Sequence, residues 1–133
     1  MKLIEIVNQT TQTSVASLNK IALGNIDKSV CQCAYSYNGT DTLTLKQNGY
    51  YLVLFRADAE ATAATQQMEV ELTSNGSRTG VTATALGTAA GDTFTISLFK
   101  IVKIAGTPLA LSVINSGTAT TFNNAVLSVV KIA

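Results

Sequence analysis

Histidine and tryptophan are both absent from the 133 residues, proline occurs once, cysteine twice, and only 13% of residues are charged. Each shortage excludes something. Without histidine the chain lacks the side chain most used for proton transfer near neutral pH, and with it the common triads, His–Cys dyads and His-ligated metals. Without tryptophan, and with 6% aromatics, there is little to stack on a sugar ring. The net charge is +1 and no block of like charges occurs, so no field gathers nucleic acid, anionic lipid or an acidic substrate. No apolar run approaches the roughly 18 residues of a membrane span. The opening Met1-Lys2-Leu3-Ile4-Glu5-Ile6-Val7 is interrupted at Glu5 and does not read as a signal peptide. The expectation is a non-enzymatic domain with no cofactor or metal, and with neither nucleic acid nor membrane as partner.

The low charge also has a positive meaning. Ordinary globular chains carry about a quarter charged residues. At half that fraction, with 47% hydrophobic residues, a monomer has too few strongly hydrated groups to cover its surface, so part of that surface is expected to be buried against copies of itself.

Few residues could carry chemistry. Cys31-Gln32-Cys33 reads as one strand face carrying two free thiols, because strand geometry disfavours a bond between residues two apart. Gly87-Thr88-Ala89-Ala90-Gly91 lacks the lysine of a phosphate loop and reads as a turn. Asp58 with Glu60, and Glu69 with Glu71, are spaced to share a strand face, as solvated carboxylates routinely do. Asp41 and Asp92 could offer oxygen to Ca²⁺, but without the spacing of a calcium loop.

What the chain does have is period-two alternation from end to end, punctuated by Asn38-Gly39, Asn48-Gly49, Asn75-Gly76, Gly91-Asp92 and Ser116-Gly117. The predicted strands are 14–23, 29–37, 41–46, 49–59, 66–73, 79–86, 92–104, 107–115 and 123–132, an all-β sandwich or jelly roll. Segment 14–23 also fits a three-turn helix, with Ser14 as cap and Gly24 as stop. Residues 1–13 are read as an exposed N-terminal arm, a candidate attachment segment, and 14–133 as the single domain.

Two kinds of strand separate by their patterning. Gln67 to Thr73 alternates apolar and polar, as a strand does between core and water. Tyr50 to Phe55, Phe99 to Ile104 and Ala125 to Val130 are apolar on both faces. Those strands need cover on two sides, and with no helices predicted the second cover is another subunit.

Gly49-Tyr50-Tyr51-Leu52-Val53-Leu54-Phe55 resembles the Gly-x-Tyr strand of the trimeric jelly rolls related to tumour necrosis factor and to complement and collagen-like globular heads. Ile21 to Ile26, Thr42 to Leu45, Val70 to Gly76, Leu109 to Asn115 and Val126 to Ile132 resemble, in order, other strands of that family's bacterial and bacteriophage branch. The resemblance covers about residues 14–133. It implies a jelly-roll β-sandwich of two antiparallel sheets, assembled as a homotrimer, with 49–59, 92–104 and 123–132 toward the threefold axis. By that register Tyr51, Val53 and Phe55 point inward, and the expected interface residues are Tyr50, Leu52, Leu54, Ile101, Val126 and Val130. The family offers no enzymatic residues to carry over.

The function implied is that of a bacteriophage structural protein, a head fibre or capsid-decoration trimer located in the virion and bound to other virion proteins through its N-terminal segment. The alternative is a carbohydrate- or receptor-binding trimeric head whose partner is a host surface ligand.

Overall fold

Alternating apolar residues bury one face of each strand against a partner sheet, and the chain folds almost entirely on that rule. The computed structural model describes all 133 residues. The strands are β1 (Lys2–Asn8), β2 (Gln12–Val15), β3 (Asn25–Val30), β4 (Tyr35–Tyr37), β5 (Leu43–Leu45), β6 (Gly49–Ala61), β7 (Gln66–Ser74), β8 (Ser77–Gly87), β9 (Thr93–Ile104), β10 (Leu109–Asn115) and β11 (Thr120–Lys131). One sheet runs β3-β1-β11-β6-β9, with β2 also on β11, and the other runs β4-β5-β10-β7-β8. All pairings are antiparallel, and from β8 onward each successive strand switches sheets. This is the expected all-β jelly roll of two antiparallel sheets.

The core lies between the sheets. Ile4, Ile6, Tyr51, Val53, Phe55, Leu127 and Val129 come from the first sheet, and Leu43, Leu45, Met68, Val70, Leu111 and Val113 from the second. Tyr35 and Tyr51 meet edge to face with ring centroids 6.1 Å apart, a favourable aromatic geometry. Gly49 opens β6 at φ +137°, where any Cβ would strike the Ala133 carbonyl oxygen and come within 2.7 Å of Lys131 Nζ. The glycine of the Gly-Tyr strand is therefore required by the close approach of the chain's C-terminus.

Five expectations are corrected. Residues 1–13 are not a free arm: β1 lies between β3 and β11 with Ile4 and Ile6 buried in the core, and β2 joins the same sheet. Segment 14–23 is neither one continuous strand nor a helix: Ser14 and Val15 finish β2, and the chain then leaves the sheet. Ser14 is left-handed (φ 49°) within β2, and left-handed Leu18 (φ 67°) turns the chain just after that strand. Ile21 and Leu23 then run extended and fully buried, their N–H groups donating to the Val113 and Thr40 carbonyls. The single strand expected over 29–37 is split, β3 belonging to one sheet and β4 to the other, by a three-residue 3₁₀ turn, Gln32–Ala34.

That turn also overturns the free thiols. Cys31 is left-handed (φ 58°), which takes the segment off the strand and sets the Cα atoms of Cys31 and Cys33 5.4 Å apart, bonded as a disulfide. Finally, Glu71 is not on a wet face. A bulge between Glu71 and Thr73 lets β8 fold Arg78 across it, whose Nε and Nη2 donate to Oε1 at 2.9 and 2.7 Å while the Gly80 N–H donates to Oε2 at 3.0 Å.

The Arg78 hydrogen bonds hold the Glu71 carboxyl below its usual range, against the opposing effect of burial. A depressed carboxylate contributes stability that is present above its unfolded-state value and lost as pH falls through the folded one. Glu71→Gln should therefore cost about 1–2 kcal/mol at pH 7. The gap to wild type should close on acidification below pH ~4, as measured by urea midpoints across pH.

Candidate assembly face

The outward face of the β3-β1-β11-β6-β9 sheet carries every interface residue expected from the sequence. Because the register is fixed across all five strands, its side chains fall into rows. One row reads Val30, Leu3, Val130, Leu52 and Ile101, an unbroken aliphatic line from one sheet edge to the other. The next reads Lys28, Glu5, Ser128, Leu54 and Phe99, charged at the β3 edge and apolar at the β9 edge. A third places Val7, Val126, Arg56 and Ser97 side by side. Tyr50 lies opposite Lys103, whose Nζ sits 5.7 Å over the ring.

These side chains are open to solvent in the isolated chain. Ile101 is 50% exposed, Phe99 59%, Tyr50 44% and Leu54 43%, while Leu52, Val126 and Val130 are half-buried among their neighbours. Inward residues of the same strand behave oppositely: Tyr51, Val53 and Phe55 are fully buried. Over its first half, from Tyr50 to Phe55, β6 is thus apolar on both faces, and one of them has no cover. A trough of about 740 Å³ crosses this face, its apolar wall formed by Leu54, Phe99 and Val126 and its polar wall by Glu5, Arg56 and Ser128.

Electrostatics divide the face lengthwise. Along β6 the apolar half (Tyr50, Leu52, Leu54) gives way to Arg56, Asp58 and Glu60. Asp58 accepts from Asn124 Nδ2 at 3.0 Å and Thr95 Oγ1 at 2.9 Å, hydrogen bonds that hold its carboxyl below the usual range. Glu5 accepts from Ser128 Oγ and lies 3.5 Å from Lys28, whereas Arg56 has no ion pair within the chain.

The other carboxylates are tied into their own surroundings. Glu69 accepts from Ser116 Oγ at 2.7 Å, and Glu71 is held by Arg78. Asp92 accepts the Thr88 and Ala89 N–H groups, closing the turn at 87–92, while Asp41 is engaged by Asn38, Thr42 and Lys20. Asp41 and Asp92 share no partner.

Reading the sequence alone missed Leu3, Val30 and Phe99 on this face. Phe99 was available from the parity of Ile101 on the same strand. Leu3 and Val30 were hidden because their strands had not been placed in the sheet.

No family model matches the sequence, and no curated protein does. Solved structures match closely in shape. The globular domain of zebrafish complement 1qA protein superposes with a TM-score of 0.74 at 11% identity, covering all of this chain and 98% of that one. Murine APRIL gives 0.71 at 12% identity over 98% of both chains. Eiger TNF from S. frugiperda gives 0.65 at 12% identity over all of this chain and 94% of that one. The chain thus has the jelly-roll fold of these complement and tumour-necrosis-factor proteins, matched over its whole length.

Proposed function

We propose that the chain is the subunit of a non-enzymatic homotrimeric head, with β6, β9 and β11 facing the threefold axis. The observation that carries this reading is the aliphatic row crossing all five strands, flanked by Leu54 and Phe99, on a face with no cover of its own. A contiguous apolar patch of this kind marks an interface, and closed rotational symmetry is how identical subunits hide it. The fold shared with complement 1q and tumour-necrosis-factor proteins supports the same arrangement. Light scattering coupled to gel filtration should give three times 13.9 kDa. A stable monomer at micromolar concentration would sink the proposal.

The finer role we propose is structural, as a head-fibre or capsid-decoration protein of a bacteriophage virion that binds other virion proteins. Support for it is the likeness of Ile21–Ile26, Val70–Gly76 and Val126–Ile132 to the phage branch, together with a composition nearly free of catalytic side chains. Mass spectrometry of purified virions tests it, since a structural protein is present at a fixed copy number and an accessory one is not.

A further inference from the structure

We propose that the Cys31–Cys33 pair is a thiol–disulfide exchange site for low-molecular-weight thiols. Both cysteines and the intervening Gln32 are exposed, so a small thiol can approach the bond. The ring they close spans three residues, and so short a loop restrains little chain entropy, leaving the bond little to contribute to stability.

Both ends of the loop are anchored without it. Val30 is paired to Leu3 in the β1–β3 ladder, Ala34 is fully buried with its carbonyl accepting the Lys46 N–H, and Tyr35 donates its hydroxyl proton to the Lys2 carbonyl at 2.8 Å. The bond can therefore open without the fold opening.

The two sulfurs are not equivalent. Gln47 Nε2 donates to Cys33 Sγ at 3.5 Å, and the same amide's oxygen accepts from the Lys2 ammonium. The cation polarises the amide toward the sulfur, so negative charge is better held on Cys33 than on Cys31.

A thiolate RS⁻ accordingly attacks Cys31 Sγ. The Cys31–Cys33 bond breaks with its electron pair leaving on Cys33, and a mixed disulfide forms between R and Cys31. A second thiolate attacks the R sulfur, releasing RSSR and the Cys31 thiolate. The two protein thiolates take up the two protons given up by the thiols. Two thiols are oxidised and one protein disulfide is reduced.

The test uses the assembled full-length protein and does not depend on its oligomeric state. Thiol titration in denaturant of the protein as purified should find no free thiols. Native incubation with millimolar reduced glutathione, followed by iodoacetamide, should place one alkyl group on each of Cys31 and Cys33 with the melting curve unchanged. With Cys31→Ser, the remaining Cys33 should alkylate faster at neutral pH than Cys31 does in the Cys33→Ser variant. Adding Gln47→Leu should shift the Cys33 profile to higher pH and leave the Cys31 profile in place. Free thiols that oxidised glutathione does not close, reduction only after unfolding, or loss of the fold on reduction would each overturn the exchange site. Coincident profiles for the two cysteines would overturn the assignment of Cys33 as leaving group.

Discussion

Deleting residues 1–13 abolishes folding. β1 contributes seven register pairs to β11 on one side and five to β3 on the other, so its loss strands β3 and exposes a ladder edge in the middle of the sheet. It also removes Ile4 and Ile6, at 1% and 0% exposure, and truncating one buried isoleucine costs about 2–5 kcal/mol. The Tyr35 hydroxyl would lose its Lys2 carbonyl partner as well. Two such residues with their ladder exceed or rival a total stability of about 5–15 kcal/mol. The truncated chain should show no cooperative melt by circular dichroism, and Ile6→Ala in the full chain should lower the urea midpoint by the single-residue amount. A truncated chain that melts like wild type would return this segment to the status of a free arm.

The misplacement of that segment shows where sequence patterning stops. In β6, Tyr51, Val53, Phe55, Ala57, Ala59 and Ala61 alternate without error over thirteen residues, and both the strand and its inward face were legible. In β1 the alternation is as regular, with Ile4 and Ile6 inward and Leu3, Glu5 and Val7 outward, but it is short and near the start of the chain. A single charge at Glu5 reads as a break until its partners, Lys28 and Ser128, are known.

Backbone handedness was the other blind spot. Glycine and asparagine advertise positive φ, and the turns at Gly39, Asn75, Gly76 and Gly91 were read from them. Ser14, Leu18, Cys31 and Thr65 give no such signal, yet Leu18 sits in the turn that interrupts the predicted 14–23 element and Cys31 brings the cysteines together. Glu71 was misread although it keeps the parity of Glu69, because the bulge that follows it lets Arg78 fold over its carboxylate. The candidate face was more legible than the edges of the fold, since an apolar residue at an outward position of a regular strand needs only the period of two to be noticed.

Leu54→Glu prevents assembly while leaving the subunit folded. Leu54 stands between Ser128 and Phe99 on the outward face and is 43% exposed in the single chain, so a carboxylate there keeps its water and costs the monomer little. In the proposed trimer the same position lies on an apolar seam, where each buried carboxylate costs several kcal/mol unless it finds a cation or takes up a proton. Three of them repeat that cost around the axis. Gel filtration at pH 7 should therefore show a folded monomer, and assembly should return on acidification, because a protonated glutamate at that position no longer buries a charge. The matched surface change belongs on the other sheet. Glu69 is unsuitable for it, being half-buried and bonded to Ser116, whereas Thr84 is exposed on β8 and faces Glu69 across the ladder. Thr84→Lys should change stability by no more than about 0.5 kcal/mol and leave the oligomer intact. If Leu54→Glu assembles as wild type does and Thr84→Lys falls apart, the subunits meet through the β4-β5-β10-β7-β8 sheet, and the aliphatic row must be covered by something other than a second copy of this chain.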